Sequence, residues 1–163
     1  MRRVHPLTGR KPRLGTVTIR TGGSTGAVGS YGMTRNGGNK MHHGTDYLCD
    51  TGDPVFAAHD GRVLRDGFQT SGRGEAGRKG YGSRLTVQGD GVETRYAHLS
   101  GQLVRAGDEI YCGALLGWTG RSGNVDEKCP THLHFEVRRG NTKDSVDPEA
   151  WLHMERIDGS DNA

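Results

Sequence analysis

A chain of 163 residues has room for one ordinary hydrophobic core, so two large domains are excluded. Because only 31% of the residues are hydrophobic while 28 are glycine, turns must be dense and long amphipathic helices scarce, which favours a mainly β fold. The net charge of +3 comes from basic and acidic residues mixed along the chain, and this pattern gives little support to nucleic-acid binding.

Residues 1–30 form a lead-in segment rich in glycine, serine and threonine. We expect this segment to loop, apart from one short strand at Val17 to Ile19. It contains no apolar run of the roughly 7–15 residues that a signal peptide needs. No later run approaches the roughly 20 apolar residues of a membrane-spanning helix. We therefore expect no membrane insertion and no self-evident export signal.

Short apolar runs separated by turn residues predict a series of antiparallel strands from residue 41 onward. The predicted strands are Tyr47 to Cys49, Pro54 to Ala58, Arg62 to Arg65, Ser83 to Gln88, Val92 to His98, Glu109 to Leu116 and Thr131 to Arg138. Residues 66–82 are polar and rich in glycine and arginine, which is typical of a long surface loop. Asp147 can cap a terminal helix that starts at Pro148, and residues 154–163 are expected to form a polar tail.

The last predicted strand alternates polar and apolar residues with a period of two. Its apolar residues, Leu133, Phe135 and Val137, are expected to face the core. His132 and His134 then share the opposite face, about 6.6 Å apart along the strand. Such a pair is as compatible with two surface histidines as with two side chains that line one site.

A second group of side chains precedes the strand at Tyr47. In the segment His42-His43-Gly44-Thr45-Asp46, an extended backbone places His42 and Asp46 on the same side and turns His43 away. Zinc binds neutral imidazole nitrogen and carboxylate oxygen, and catalytic zinc sites usually have three protein ligands and one open position. Together with His134, His42 and Asp46 would supply that number of ligands.

His98 ends another predicted strand, in the segment Tyr96-Ala97-His98-Leu99-Ser100. By itself this position favours a hydrogen-bonded histidine without a catalytic role. His5, His59 and His153 are likewise expected to be solvated or capping residues.

Taken together, these segments resemble the lysostaphin and LytM family of zinc metalloendopeptidases, which hydrolyse peptidoglycan peptides. The resemblance rests on H-x-G-x-D at His42, Gly44 and Asp46, on Y-A-H-L-S at Tyr96 to Ser100, and on H-L-H-F-E-V-R at His132 to Arg138. It covers roughly residues 31–152 and implies an antiparallel β-sandwich with an open groove.

The resemblance also implies a role for each matching residue. His42, Asp46 and His134 correspond to the ligands of one zinc ion, and His98 and His132 correspond to the catalytic histidines. The implied activity is hydrolysis of the peptide cross-links of bacterial peptidoglycan. We expect residues 31–153 to form this endopeptidase domain and the protein to be a monomer.

Two other functions compete with this interpretation. One is a non-catalytic wall-binding or regulatory module, which the presence of all five histidine and aspartate residues disfavours. The other is a phage tail component stabilised by zinc, although structural zinc normally has four protein ligands. An enzyme of this kind acts at the cell wall or in the periplasm, and the absence of a signal peptide favours a phage-encoded, virion-associated or machine-delivered protein.

The three cysteines, Cys49, Cys112 and Cys129, contain no C-x-x-C pair and permit at most one internal disulfide. A bond between Cys112 and Cys129 and a set of three separate thiols are both compatible with the sequence.

Overall fold

Twelve β-strands and one α-helix make up the described part of the chain. The structure is a computed structural model that describes residues 2–10, 29–69, 80–125, 127, 129–140 and 144–153. The elements are β1 (Gly32–Arg35), β2 (Lys40–His42), β3 (Thr45–Leu48), β4 (Pro54–Phe56), β5 (Gly61–Arg65), β6 (Phe68–Gln69), β7 (Gly82–Gly89), β8 (Val92–Gln102), β9 (Glu109–Ile110), β10 (Leu115–Thr119), β11 (His132–Arg139), β12 (Ser145–Val146) and α1 (Pro148–His153). The predicted fold class, mainly antiparallel β with one or two short helices, is confirmed.

Ten of these strands join in one branched antiparallel sheet, whose main path runs β12-β11-β8-β7-β5-β9. Strand β3 pairs with β11, and β10 connects β4 to β8. The first two strands form a separate hairpin. Strand β11 therefore lies between β3, which carries Asp46 of the H-x-G-x-D motif, and β8, which carries the Y-A-H-L-S motif.

Strand β8 changes partner at His98. Up to Ala97 it pairs with β11, and from Leu99 onward it pairs with β10. The ladder to β7 is irregular at the same point, because two residues of β8, Ala97 and His98, stand opposite one residue of β7, Arg84. His98 has a φ of 63°, a left-handed conformation that non-glycine residues seldom adopt. This bulge turns the His98 side chain away from the regular alternation of the strand.

The hydrophobic core has the composition that the alternating pattern predicts. Leu133, Phe135 and Val137 are fully buried, and they pack with Tyr47 of β3 and Tyr96 of β8 in one cluster. The opposite face of β11 is covered as well, since His132 and His134 are 4% and 8% exposed. The two histidines therefore line an enclosed site and not a free surface.

Residues 2–10, part of the predicted lead-in, dock onto the sheet. The Val4 amide donates to the Ala58 carbonyl at 3.0 Å, and the Val4 side chain is buried. The Arg3 guanidinium lies 4.5 Å from the centre of the Trp151 ring in α1. This contact ties the start of the chain to its last helix. The predicted strand at Val17 to Ile19 and the polar tail lie outside the described residues.

Several local predictions require correction. The strand expected from Glu109 to Leu116 is divided into β9 and β10, because a turn closes with the Ala114 amide on the Tyr111 carbonyl at 2.9 Å. The 66–82 loop contains β6, whose residue Phe68 pairs with Ser83. His59, expected to be solvated, is fully buried, with Nε2 3.0 Å from the Thr94 hydroxyl.

One prediction near the carboxyl end agrees with the structure. The Asp147 side chain accepts a hydrogen bond from the Glu149 amide at 2.9 Å and caps α1, as expected.

Within the described residues, no helix has the length and apolar character needed to cross a membrane.

The cysteines form no disulfide. Of the two arrangements compatible with the sequence, the structure shows Cys49, Cys112 and Cys129 as three separate thiols.

Candidate metal centre

Three side chains from three strands converge on one point. His42 ends β2, Asp46 lies in β3, and His134 lies in β11 directly opposite Asp46 in the strand register. His42 Nε2 is 3.2 Å from His134 Nδ1 and 3.3 Å from Asp46 Oδ1, and His134 Nδ1 is 2.7 Å from Asp46 Oδ1. The sequence prediction that these residues meet is therefore matched by their geometry.

This triangle of atoms fits a zinc ion. Zinc bonds to nitrogen and oxygen of about 2.0–2.2 Å in a tetrahedron require donor atoms about 3.3 Å apart. The two edges that include His42 have this length already. All three donor groups are buried, which keeps water from competing for them.

In each imidazole, one ring nitrogen donates a hydrogen bond away from the triangle of donor atoms. The other ring nitrogen therefore faces the triangle. His42 Nδ1–H donates to the Ser30 carbonyl at 2.8 Å, and His134 Nε2–H donates to Glu136 Oε1 at 3.0 Å. His42 Nε2 and His134 Nδ1 are therefore the ring nitrogens available to a metal.

Gly44 makes this close approach possible. A Cβ atom at position 44 would lie 2.5 Å from the Phe135 carbonyl oxygen and 2.9 Å from His134 Cε1. Any side chain here would push β11 away or displace the His134 ring. The side chain of the neighbouring His43 faces away from the metal centre, as predicted, and its Nδ1 atom lies 2.9 Å from the Ser145 hydroxyl oxygen.

His98 and His132 lie beside the triangle, with ring centres 4.9 Å apart. Nδ1–H of His98 donates to the Ser122 carbonyl at 2.8 Å, and Nδ1–H of His132 donates to the Pro130 carbonyl at 2.9 Å. In both rings Nε2 is left with its lone pair. His132 Nε2 lies 3.9 Å from Asp46 Oδ1, so the second histidine pair borders the first group directly.

Burial keeps these two rings neutral. Loss of solvation, together with the nearby His134 and His132 rings, lowers the pKa of His98 to about 3. Burial also lowers the pKa of His132, although Asp46 opposes this effect. Both imidazoles are therefore uncharged at neutral pH.

His134 and Asp46 behave as a coupled pair. Burial alone would lower the pKa of His134, but hydrogen bonds to Asp46 and Glu136 outweigh it and raise this pKa to about 9. Burial would likewise raise the pKa of Asp46, but hydrogen bonds with His134 and His42 hold it far below its usual range. Without a metal, His134 is thus a cation between two carboxylates.

Arg35 reaches the same point from β1. Its Nη2 donates to the second carboxylate oxygen of Asp46, Oδ2, and lies 2.9 Å from His42 Nε2. Nothing in the sequence indicated this contact, because Arg35 precedes the motif and belongs to a hairpin outside the main sheet.

The sequence profile of Peptidase family M23 matches residues 40–148, which include all of these histidines and Asp46. The chain belongs to peptidase family M23. This is a family of zinc metallopeptidases, and the resemblance to lysostaphin-type enzymes seen in the sequence is confirmed.

Two curated relatives show how far the similarity extends. Glycyl-glycine endopeptidase ALE-1 of Staphylococcus capitis is 36% identical over 110 residues, 66% of this chain and 27% of that protein. Lysostaphin of Staphylococcus simulans is 32% identical over 127 residues, 76% of this chain and 23% of that protein. This M23 chain thus spans about a quarter of the length of these two relatives.

A solved structure with the same fold extends the match. The catalytic domain of EnpA, a prophage-encoded M23 protein from Enterococcus faecalis, superposes with a TM-score of 0.63 at 25% identity, in a mutant form. The alignment covers 85% of this chain and 94% of that domain. Residues well outside the shared motifs therefore adopt the M23 fold.

Two further residues of this M23 site were missed by sequence reasoning. Glu136 supports His134, and Tyr81 donates to the same Glu136 oxygen at 2.5 Å. The sequence could have indicated Glu136, because the period-two alternation of the strand places it on the same face as His132 and His134. Tyr81 carries none, since it lies at the end of a long polar segment.

Proposed function

We propose that this chain is a zinc-dependent endopeptidase that hydrolyses the peptide cross-links of bacterial peptidoglycan. His42, Asp46 and His134 are the zinc ligands in this proposal, and His98 and His132 are the catalytic histidines. The observation that carries it is the triangle of donor atoms with edges of 2.7–3.3 Å beside two neutral imidazoles. The domain that performs this function is residues 31–153, with residues 2–10 docked against it.

Zinc held by these three ligands would polarise the scissile carbonyl and acidify a water molecule at the open coordination position. The chain's own residues then handle the proton. Because the Nδ1–H groups of His98 and His132 already donate to backbone carbonyls, the Nε2 atom of each ring acts first as a proton acceptor. Once one ring has taken a proton, it can hydrogen-bond with that N–H to the oxyanion of the tetrahedral intermediate, and the proton passes to the leaving amine as the C–N bond breaks.

The relatives support a peptidoglycan substrate. ALE-1 is named as a glycyl-glycine endopeptidase, and it is 36% identical to this chain over 110 residues. We propose that this chain also cleaves a cross-linking peptide. The competing functions, a non-catalytic wall-binding module and a zinc-stabilised tail component, do not require two neutral imidazoles beside a three-ligand site.

The decisive experiment is digestion of purified peptidoglycan with and without a chelator. We expect release of soluble muropeptides, loss of this release with chelator, and recovery when zinc is added back. Wall material with glycine bridges and wall material with direct D-alanyl to diaminopimelate links should be compared, and the new amino termini read by mass spectrometry. Binding to both walls without any cleavage would contradict the proposal and identify a binding module.

The source and setting of the protein form a finer part of the proposal. We propose a phage-type lytic enzyme that acts at the bacterial cell wall as a monomer, and the likeness to the prophage-encoded EnpA domain supports it. Addition of the purified protein to intact cells and to isolated walls tests this proposal. Solubilisation of the isolated walls is expected, whereas walls left undigested would contradict a role in cell-wall lysis.

A further inference from the structure

Glu136 is a buried carboxylate directly behind the proposed metal centre. It is 1% exposed and lies two residues after His134 on the same face of β11. Its stem lies close over Gly44, where an added Cβ atom would be 2.9 Å from Glu136 Cγ.

Four donors converge on this carboxylate. Oε1 accepts from His134 Nε2–H at 3.0 Å and from the Tyr81 hydroxyl at 2.5 Å. Oε2 accepts from Arg138 Nε at 2.7 Å and from Arg95 Nη1 at 3.4 Å. Every partner donates, so both oxygens act as acceptors, and the two guanidinium groups compensate the negative charge.

This arrangement acts on the metal through His134. A carboxylate that accepts the outer N–H of a metal-binding imidazole fixes its tautomer and orientation and makes the other nitrogen a better donor. Here the outer nitrogen is Nε2, and the nitrogen left for the metal is Nδ1, which points at Asp46 and His42. The network of Tyr81 and Arg138 holds the carboxylate in place for this task.

We propose that Glu136 is a positioning residue that sets the zinc affinity of the site by holding His134 with its Nδ1 lone pair toward the ion. This inference rests on the proposed function, because it requires a metal at the three ligands. It assigns to this chain a fourth side chain on which metal retention depends.

The test is the Glu136→Gln variant, whose side chain has nearly the same shape. Whichever way the glutamine amide is turned, its nitrogen, itself a donor, would face another hydrogen-bond donor. The hydrogen bonds on that side of the network would therefore be lost. We expect zinc affinity, measured by competition with a chromophoric chelator, to fall by about 10–100-fold. The absorption spectrum of the cobalt-substituted variant should change as well, since the donor strength of His134 changes.

Glu93→Gln is the matched control. Glu93 also pairs with Arg95, at 3.6 Å, and among the described residues it has no hydrogen bond or ion pair with a histidine. Its replacement removes one charge from the same surroundings and should leave zinc affinity unchanged. Equal loss of affinity in both variants would overturn the proposal, because the effect would then be a general one of charge.

A measurement on the unaltered protein guards against a variant that fails to fold. In zinc-loaded protein labelled with ¹⁵N-histidine, His134 should show its proton on Nε2. A proton on Nδ1, or wild-type zinc affinity in Glu136→Gln, would overturn the role of Glu136. Failure of the unaltered protein to bind zinc at all would instead reject the proposed function, so the two failures are distinguishable.

Discussion

Asp46 and His134 are direct cross-strand neighbours, and their side chains meet with Oδ1 2.7 Å from Nδ1. They are 88 residues apart in the chain, so only the register of β3 against β11 brings them together. A shift of one residue would turn one of the two side chains to the opposite face of the sheet. The metal centre is therefore a property of the strand pairing as much as of the motifs.

Metal retention and catalysis should separate between the two histidine groups. We expect His98→Ala and His132→Ala to keep one zinc per chain and to lose turnover by at least about 100-fold, since each removes a proton acceptor. His134→Ala should lose zinc and activity together. Metal content by atomic spectroscopy and muropeptide release measure both properties. Loss of zinc in His132→Ala would mean that the ligand assignment is wrong.

Zinc affinity should rise with pH. In the metal-free protein the pKa of His134 is about 9, so at neutral pH a proton occupies the Nδ1 lone pair that the ion needs. Each unit of pH between 7 and 9 should strengthen binding about tenfold until the proton is gone. Chelator-buffered zinc titrations test this expectation. Constant affinity between pH 7 and 9 would contradict the raised pKa of His134 in the metal-free protein.

The stability of the metal-free protein should fall as pH rises, whereas zinc affinity rises. The folded-state pKa of His134, about 9, lies above the unfolded value of about 6.5. This residue therefore stabilises the fold fully below about pH 6.5, and that contribution is lost as pH rises through 9. Melting temperatures of chelator-treated protein should fall between pH 7 and 9. The increase in melting temperature that zinc produces should grow between pH 7 and 9.

Gly44→Ala should damage the site from the backbone. The added methyl group would meet the Phe135 carbonyl oxygen at 2.5 Å and His134 Cε1 at 2.9 Å. We expect a loss of about 1–3 kcal/mol in unfolding free energy and weaker zinc binding. Gly101→Ala is the control, because its methyl group would meet only the Trp118 ring, at 3.2 Å. Similar zinc affinity in both variants would contradict the packing argument.

The docked amino-terminal residues should contribute to stability and not to the site. Val4 is 1% exposed, and Val4→Ala removes buried methyl groups at a cost of about 1–2 kcal/mol. Chemical denaturation measures this loss, and zinc affinity should remain at the wild-type value. If Val4→Ala were as stable as the wild type, residues 2–10 would not be an integral part of the fold.

Much of the candidate site could be predicted because its signals are local. The alternation in β11 places His132 and His134 on one face and Phe135 on the other, whatever the rest of the chain does. The spacing from His42 to Asp46 has the same origin. Turn residues and the scarcity of long apolar runs likewise predicted the antiparallel fold class.

Only the tertiary structure decided the supporting contacts. Arg35 reaches Asp46 from a separate hairpin, and Tyr81 reaches Glu136 from the end of a long polar segment. The bulge that redirects His98 arises where β8 changes partner, which no periodicity in its own sequence reveals. These contacts depend on which strands become neighbours and in what register. Short-range sequence patterns determine which face of its strand each side chain occupies. The distant residue that the side chain contacts is determined by the packing of the whole sheet.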